Sequence, residues 1–252
     1  MSQAAAETFE SFAKRITPLQ NALYSDFSDW EQDTYRTSHL NLVGGAEAVV
    51  SLIRSVEYVL RKGIPGALVE CGVFMGGNIE VIIRTLNRHG VRDRNIYLYD
   101  TFEGMPEPQA VDDDGLDGRP MAATWQAHQD PAVGSAGSQW MRAGLDIVKA
   151  RLEPLGYPAE RLHFVKGMVE DTIPGTIPDR IALLRLDTDF YSSTKHELIH
   201  LYPRLSRGGI LINDDYGAMP GSRRATDEYI AQNDLHLFLS RVDAHVRLAV
   251  KP

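Results

Sequence analysis

Between residues 47 and 215 short apolar runs alternate with segments whose apolar residues recur at helical spacing, and this alternation admits few folds. ALVECGVF (67–74), NIYLYD (95–100), RLHFVKG (161–167), IALLRLD (181–187) and GILINDD (209–215) read as buried strands. Val49, Leu52, Ile53, Val56, Val59 and Leu60 share one helical face, and Lys62-Gly63 followed by Pro65 supplies a stop. NIEVIIRTLNRHG (78–90), a stretch near Gly144–Leu155, and STKHELIHLYPRL (193–205) continue the helical series. For the last of these, Ser192 or Ser193 is the expected N-cap and Gly208-Gly209 the expected end. Strands that alternate with helices form a parallel sheet covered on both faces. LFLSRVDAHVRLAV (237–250) reads as a closing antiparallel hairpin.

Two regions break the pattern. Residues 1–45 are polar and mixed, with a short amphipathic helix expected near Thr8–Ile16, and form an N-terminal segment ahead of a domain spanning 46–252. Residues 105–140 are rich in Asp, Gly, Pro and Ala, and unpatterned stretches of that length are usually lids or binding loops. The acidic run DDDGLDG inside it fits no calcium-loop register and reads as solvated lid.

The first strand runs through Glu70 into Gly72, Gly76 and Gly77 and then into a helix. In open parallel sheets ligands bind beyond the carboxyl ends of the strands, and glycines there let backbone approach a ligand closely. The run lacks the G-x-G-x-x-G that seats a pyrophosphate. S-adenosylmethionine has no phosphate, but it has an α-amino group that Glu70 can help hold. Asp100, ending the second strand, can accept from both hydroxyls of a ribose, so a nucleoside-containing cofactor is expected.

Further along, one strand ends in Asp187-Thr188-Asp189 and the next in Asp214-Asp215. A right-handed crossover brings both groups to one sheet edge. Converging carboxylates repel unless a cation or protons intervene, and oxygen ligands without histidine or thiol point to Mg²⁺ or Ca²⁺ rather than zinc.

The segments GIPGALVECGVFMGGN, YDTFEGMP, GMVEDTIP, LRLDTDFYSST and YPRLSRGGILINDDY together resemble the macrocin O-methyltransferase family. The resemblance runs from about Glu47 to the final strand. It implies a Rossmann-like class I methyltransferase: an α/β fold with a mostly parallel seven-stranded sheet, an antiparallel last strand, and helices on both faces. The implied activity is S-adenosylmethionine- and Mg²⁺-dependent O-methylation of a sugar hydroxyl on a small-molecule glycoside, as in antibiotic tailoring. Carried over residue by residue, Asp189, Asp214 and Asp215 would hold the metal; that Asp189 also takes the proton from the hydroxyl is a mechanistic expectation beside the resemblance. Asp187 would lie toward the cofactor, alongside Gly72, Asp100, Gly167 and Met168. Residues 1–45 and the lid depart from the family pattern, so the acceptor stays open. A catechol-type Mg²⁺-dependent O-methyltransferase is the alternative, although those enzymes tend to carry Asp-Asn where this chain has Asp214-Asp215. A Mg²⁺-dependent hydrolase would leave Glu70 and Asp100 without purpose, and a binding protein would keep the cofactor site alone.

Composition narrows the partners. With 26 basic against 34 acidic side chains the chain carries a formal charge of −8, which disfavours a nucleic-acid substrate. A single cysteine, Cys71, excludes an intrachain disulfide. No secretory leader and no run of roughly 18 apolar residues is found, so a cytoplasmic protein without a membrane span is expected. A homodimer or higher homo-oligomer is also expected.

Overall fold

A computed structural model describes residues 25–112, 120–132 and 134–252; the helix expected near Thr8–Ile16 lies outside them. Strands β1 (Ala67–Cys71), β2 (Ile96–Asp100), β3 (Leu162–Lys166), β4 (Ile181–Leu186) and β5 (Leu205–Asn213) pair in parallel. Strands β6 (Ser240–Arg241) and β7 (Arg247–Val250) close the sheet antiparallel, giving the order β3-β2-β1-β4-β5-β7-β6. The seven-stranded, mostly parallel sheet is the one expected. The order reverses between β1 and β4, which puts the topological switch point between the ends of those two strands.

Alternation along each strand divides the core in two. Leu68, Ile210 and Ile212 face one layer, with helices α2 (Ala46–Arg61), α3 (Gly77–Arg88) and α5 (Leu145–Leu152). Val69, Cys71 and Leu211 face the other, with α7 (Tyr191–Leu201) and α8 (Pro220–Gln232). In α2 the expected stripe is buried; Ile53 and Val56 have no exposed surface, and each such side chain contributes about 1.5–3 kcal/mol of burial. Among the described residues the remaining α-helices are α1 (Asp29–Ser38), capped by a reciprocal Ser28–Glu31 box, α4 (Met121–Ala127) and the one-turn α6 (Val169–Thr172). No described helix is long and apolar enough to cross a membrane.

Three local expectations change. Helix α7 begins at Tyr191, ahead of both serines, with Phe190 at the N-cap position and no local side-chain cap. Its first N–H is received by Asp112, 2.7 Å away, from a distant part of the chain. Gly208 and Gly209 lie inside β5, and the helix ends at Leu201 before a 3₁₀ turn over Tyr202–Arg204. The described residues between 105 and 140 also carry structure of their own. Trp125 of α4 is buried and donates through its indole to the Met105 carbonyl at 3.1 Å, and the Ser138 hydroxyl donates to the same oxygen at 2.9 Å. The Met105 amide donates to the Trp140 carbonyl, so the two ends of the segment are stapled together. Asp112, the first acid of the run read as solvated, is buried in the cap it provides.

Candidate active site at the switch point

Backbone bonds beyond the strand ends align the expected residues in a row. Gly167 donates to the Asp100 carbonyl, Gly72 to that of Tyr99, Asp187 to that of Cys71 and Asp214 to that of Leu186, at 2.9–3.0 Å. Above this row opens a cavity of about 540 Å³. Gly72, Asp100, Gly167, Met168, Asp187, Asp189, Asp214 and Asp215 all line it.

The glycine loop fits by close approach. Gly72 has φ +84°, and a Cβ there would lie 1.9 Å from the Asp187 carbonyl oxygen, so only glycine lets β1 and β4 end this close together. Gly76 has φ +83° and turns the chain into α3, but it faces Val148 and Leu152 instead of the cavity; its expected contact with a cofactor is replaced by helix packing. Asp100 clamps the loop. Its Oδ2 accepts from the amides of Val73 (2.7 Å) and Phe74 (3.0 Å), and its Oδ1 from that of Phe102 (2.6 Å). Burial raises its pKa, and the three N–H groups pull the other way without cancelling the rise.

Glu70 stands elsewhere than expected. It is fully buried behind the wall, where its register partner on β4, Arg185, donates to Oε1 at 2.6 Å. Its direct hold on a ligand's amino group is therefore not available in this structure. Arg185 is the residue that sequence reasoning passed over. Its side chain, 4% exposed, also reaches Asp187 Oδ2 and Asp214 Oδ1, each at 2.6 Å. The Asn78 amide, oriented by this network, accepts from both guanidinium nitrogens at 3.1 Å and donates to Glu70. A lone arginine in an otherwise apolar buried strand demands partners, and that was the available signal.

One carboxylate oxygen each from Asp187, Asp214 and Asp215 lies within 4.8 Å of the other two. The expected trio had Asp189 in place of Asp187. Asp189, in the left-handed region at φ +65°, lines the same cavity beside them, and its amide donates to Asp215 Oδ2 at 2.9 Å. Burial and then the charges of Asp187 and Asp214 push its pKa up to about 8. Asp187 and Asp215 are raised as well, by burial first and by neighbouring carboxylates next. One guanidinium therefore does not neutralise this many acids, and the cluster suits a further cation with hard oxygen ligands. Behind the turn, the Thr188 hydroxyl donates to the fully buried Glu197 at 3.0 Å. The turn between β6 and β7 completes the wall with Asp243–Val246.

Comparison with known proteins identifies the family. The family model for macrocin-O-methyltransferase (TylF) matches residues 28–248. The chain is 32% identical over 234 residues to an 8-demethyl-8-(2,3-dimethoxy-alpha-L-rhamnosyl)-tetracenomycin-C 4'-O-methyltransferase of Streptomyces olivaceus, covering 91% of this chain and 84% of that protein. It is 30% identical to the demethyldecarbamoylnovobiocin O-methyltransferase of Streptomyces niveus, covering 93% and 82%. Among solved structures, the O-methyltransferase NovP superposes with a TM-score of 0.72 at 28% identity, over 84% of this chain and 82% of that one. The chain is an O-methyltransferase and belongs to the macrocin-O-methyltransferase family.

Proposed function

We propose that this enzyme transfers a methyl group from S-adenosylmethionine to a sugar hydroxyl of a small-molecule glycoside, with Mg²⁺ bound by Asp187, Asp214 and Asp215. The observation that carries the reading is one cavity lined both by the Gly72–Asp100 loop and by the acid cluster. The sugar acceptor is supported by relatives named for methylating a rhamnosyl tetracenomycin and demethyldecarbamoylnovobiocin. The donor set fits the metal: three oxygen ligands, clustered and charge-strained, with no histidine or thiol among them.

Bound there, Mg²⁺ would lower the pKa of a hydroxyl beside it and help orient it. The chain's own residues do the rest. The backbone at Gly72, pressed against Asp187, leaves room for the cofactor beside the strand ends. Asp189, beside the metal trio on the cavity wall, accepts the acceptor's proton as the new oxygen–carbon bond forms and the carbon–sulfur bond breaks. The two described ends of the 105–140 segment act as a lid that excludes water, a role supported by Met105, Pro106 and Trp140 on the cavity wall.

The test is methyl transfer from labelled S-adenosylmethionine to a rhamnosyl tetracenomycin and to demethyldecarbamoylnovobiocin, with catechols as competing acceptors. EDTA should abolish turnover and Mg²⁺ restore it. Full activity in metal-free enzyme would refute the metal role, and transfer to catechols alone would refute the sugar acceptor.

A further inference from the structure

Arg185 joins the two halves of the site, and its position carries an inference that rests on the S-adenosylmethionine and Mg²⁺ reading above. Its guanidinium takes one oxygen from Asp187 and one from Asp214, two of the three acids in the cation cluster. On its other side it holds Glu70 and the Asn78 amide. Asn78 lies in the first turn of α3, directly after the glycine loop, and it lines the cavity. Four elements of the site therefore share one planar donor: β1 through Glu70, α3 through Asn78, the β4 end through Asp187 and the β5 end through Asp214.

We propose that Arg185 is a positioning residue through which cation binding and cofactor binding strengthen each other. Asp187 and Asp214 each divide their charge between Arg185 and whatever cation joins the cluster. When a divalent cation takes a share of both carboxylates, the guanidinium's hold on them weakens. Its N–H groups then bond more strongly to Glu70 and Asn78, which stiffens the turn into α3 that forms the cofactor side of the cavity. A ligand binding to a turn already stiffened loses less conformational freedom, so the coupling is positive. Linkage makes it reciprocal, so the cofactor must tighten the metal by the same factor. Lysine cannot replace this residue, because an ammonium carries the charge without the planar fork that reaches four partners.

The experiment is calorimetry on the full chain with S-adenosylhomocysteine, which lacks the sulfonium charge and so minimises direct repulsion between the two ligands. MgCl₂ is titrated with and without saturating S-adenosylhomocysteine, and S-adenosylhomocysteine with and without saturating MgCl₂. Each ligand should tighten the other by at least about fivefold, the low end of ordinary couplings, with equal factors in the two directions. In R185K the factor should fall below about twofold. N78A, which cuts the link at the cofactor end and spares the guanidinium–carboxylate pairs, should do the same while keeping Mg²⁺ affinity in the empty enzyme. A merely structural arginine would weaken both affinities and leave their ratio alone. If R185K does not fold, the wild type and N78A decide. Independent binding of both ligands to the wild type overturns the coupling and leaves the functional reading standing. Coupling that persists in the folded variants overturns the role of Arg185. Absence of Mg²⁺ binding, by calorimetry and by equilibrium dialysis, overturns the metal reading and the inference with it.

Discussion

Replacing Asp100 by alanine removes the acceptor for three backbone N–H groups at once, those of Val73, Phe74 and Phe102. A hydrogen bond to a charged group contributes about 1.5–3 kcal/mol, so three would sum to roughly 5–9 kcal/mol if independent. Two corrections reduce that figure. The pKa of Asp100 is raised, so the burial of its charge already offsets part of the bonds' value. Val73 and Phe74 also line the cavity, where water can satisfy their amides once the carboxylate is gone. A net loss of about 2–4 kcal/mol in unfolding free energy is expected, read by urea denaturation of the protein without ligand. Phe74, held at φ +47°, loses one of the bonds that keep it in that unfavourable region, so the loop should relax and S-adenosylhomocysteine affinity should fall more than tenfold. Stability within about 0.5 kcal/mol of wild type, with affinity still lost, would refute the clamp and leave Asp100 as a ribose ligand only.

Asp189→Asn keeps the shape of the side chain and removes the base, so turnover should fall by about 10²–10⁴ while S-adenosylhomocysteine still binds; single-turnover assays beside calorimetry would show both. Gly72→Ala places a methyl group 1.9 Å from the Asp187 carbonyl at a backbone φ of +84°. Strain and overpacking together should destabilise the fold by about 2–5 kcal/mol, and a thermal midpoint equal to wild type would contradict the close contact. Glu228 accepts from Tyr191, Arg224 and Lys195, which hold its pKa down to about 2 from an ordinary 4.5. Its contribution is present above pH 4.5 and disappears as pH falls toward 2, so the stability gap between wild type and Glu228→Gln should close over that window; a gap independent of pH would disprove the charge-based account.

The sheet was legible because strand period and crossover handedness are local rules, and five parallel strands obey both. The same rules bring Asp100, Asp187 and Asp214 to one edge from the sequence alone. The missed features depend on contacts between distant segments. Asp112 caps α7 from 79 residues away, so no signal near Ser192 could reveal that the helix starts at Tyr191. Glu70 sits at the right place in sequence to meet a ligand, but the register that sets it against Arg185 is a property of the β1–β4 pair. Spacing alone also could not choose between Asp187 and Asp189, since both follow β4 within a few residues. What separates them is where their oxygens end up, since those of Asp187, Asp214 and Asp215 gather within 4.8 Å of one another.

The way β7 enters the sheet bears on how the chain is made. β7 lies between β5 and β6, and the turn preceding it meets the cavity, where the Gly217 amide donates to the His245 carbonyl at 2.7 Å. During synthesis the five parallel strands emerge first, and β5 waits as an open edge presenting Ile210, Leu211 and Ile212. Unpaired edges of that kind recruit other chains. Only when residues 240–250 arrive does the edge close, and the same event supplies the last wall of the cavity at the strand ends. Ribosomes stalled before that point would release products both inactive and prone to aggregate, so shortened forms of this enzyme make poor candidates for retaining partial activity.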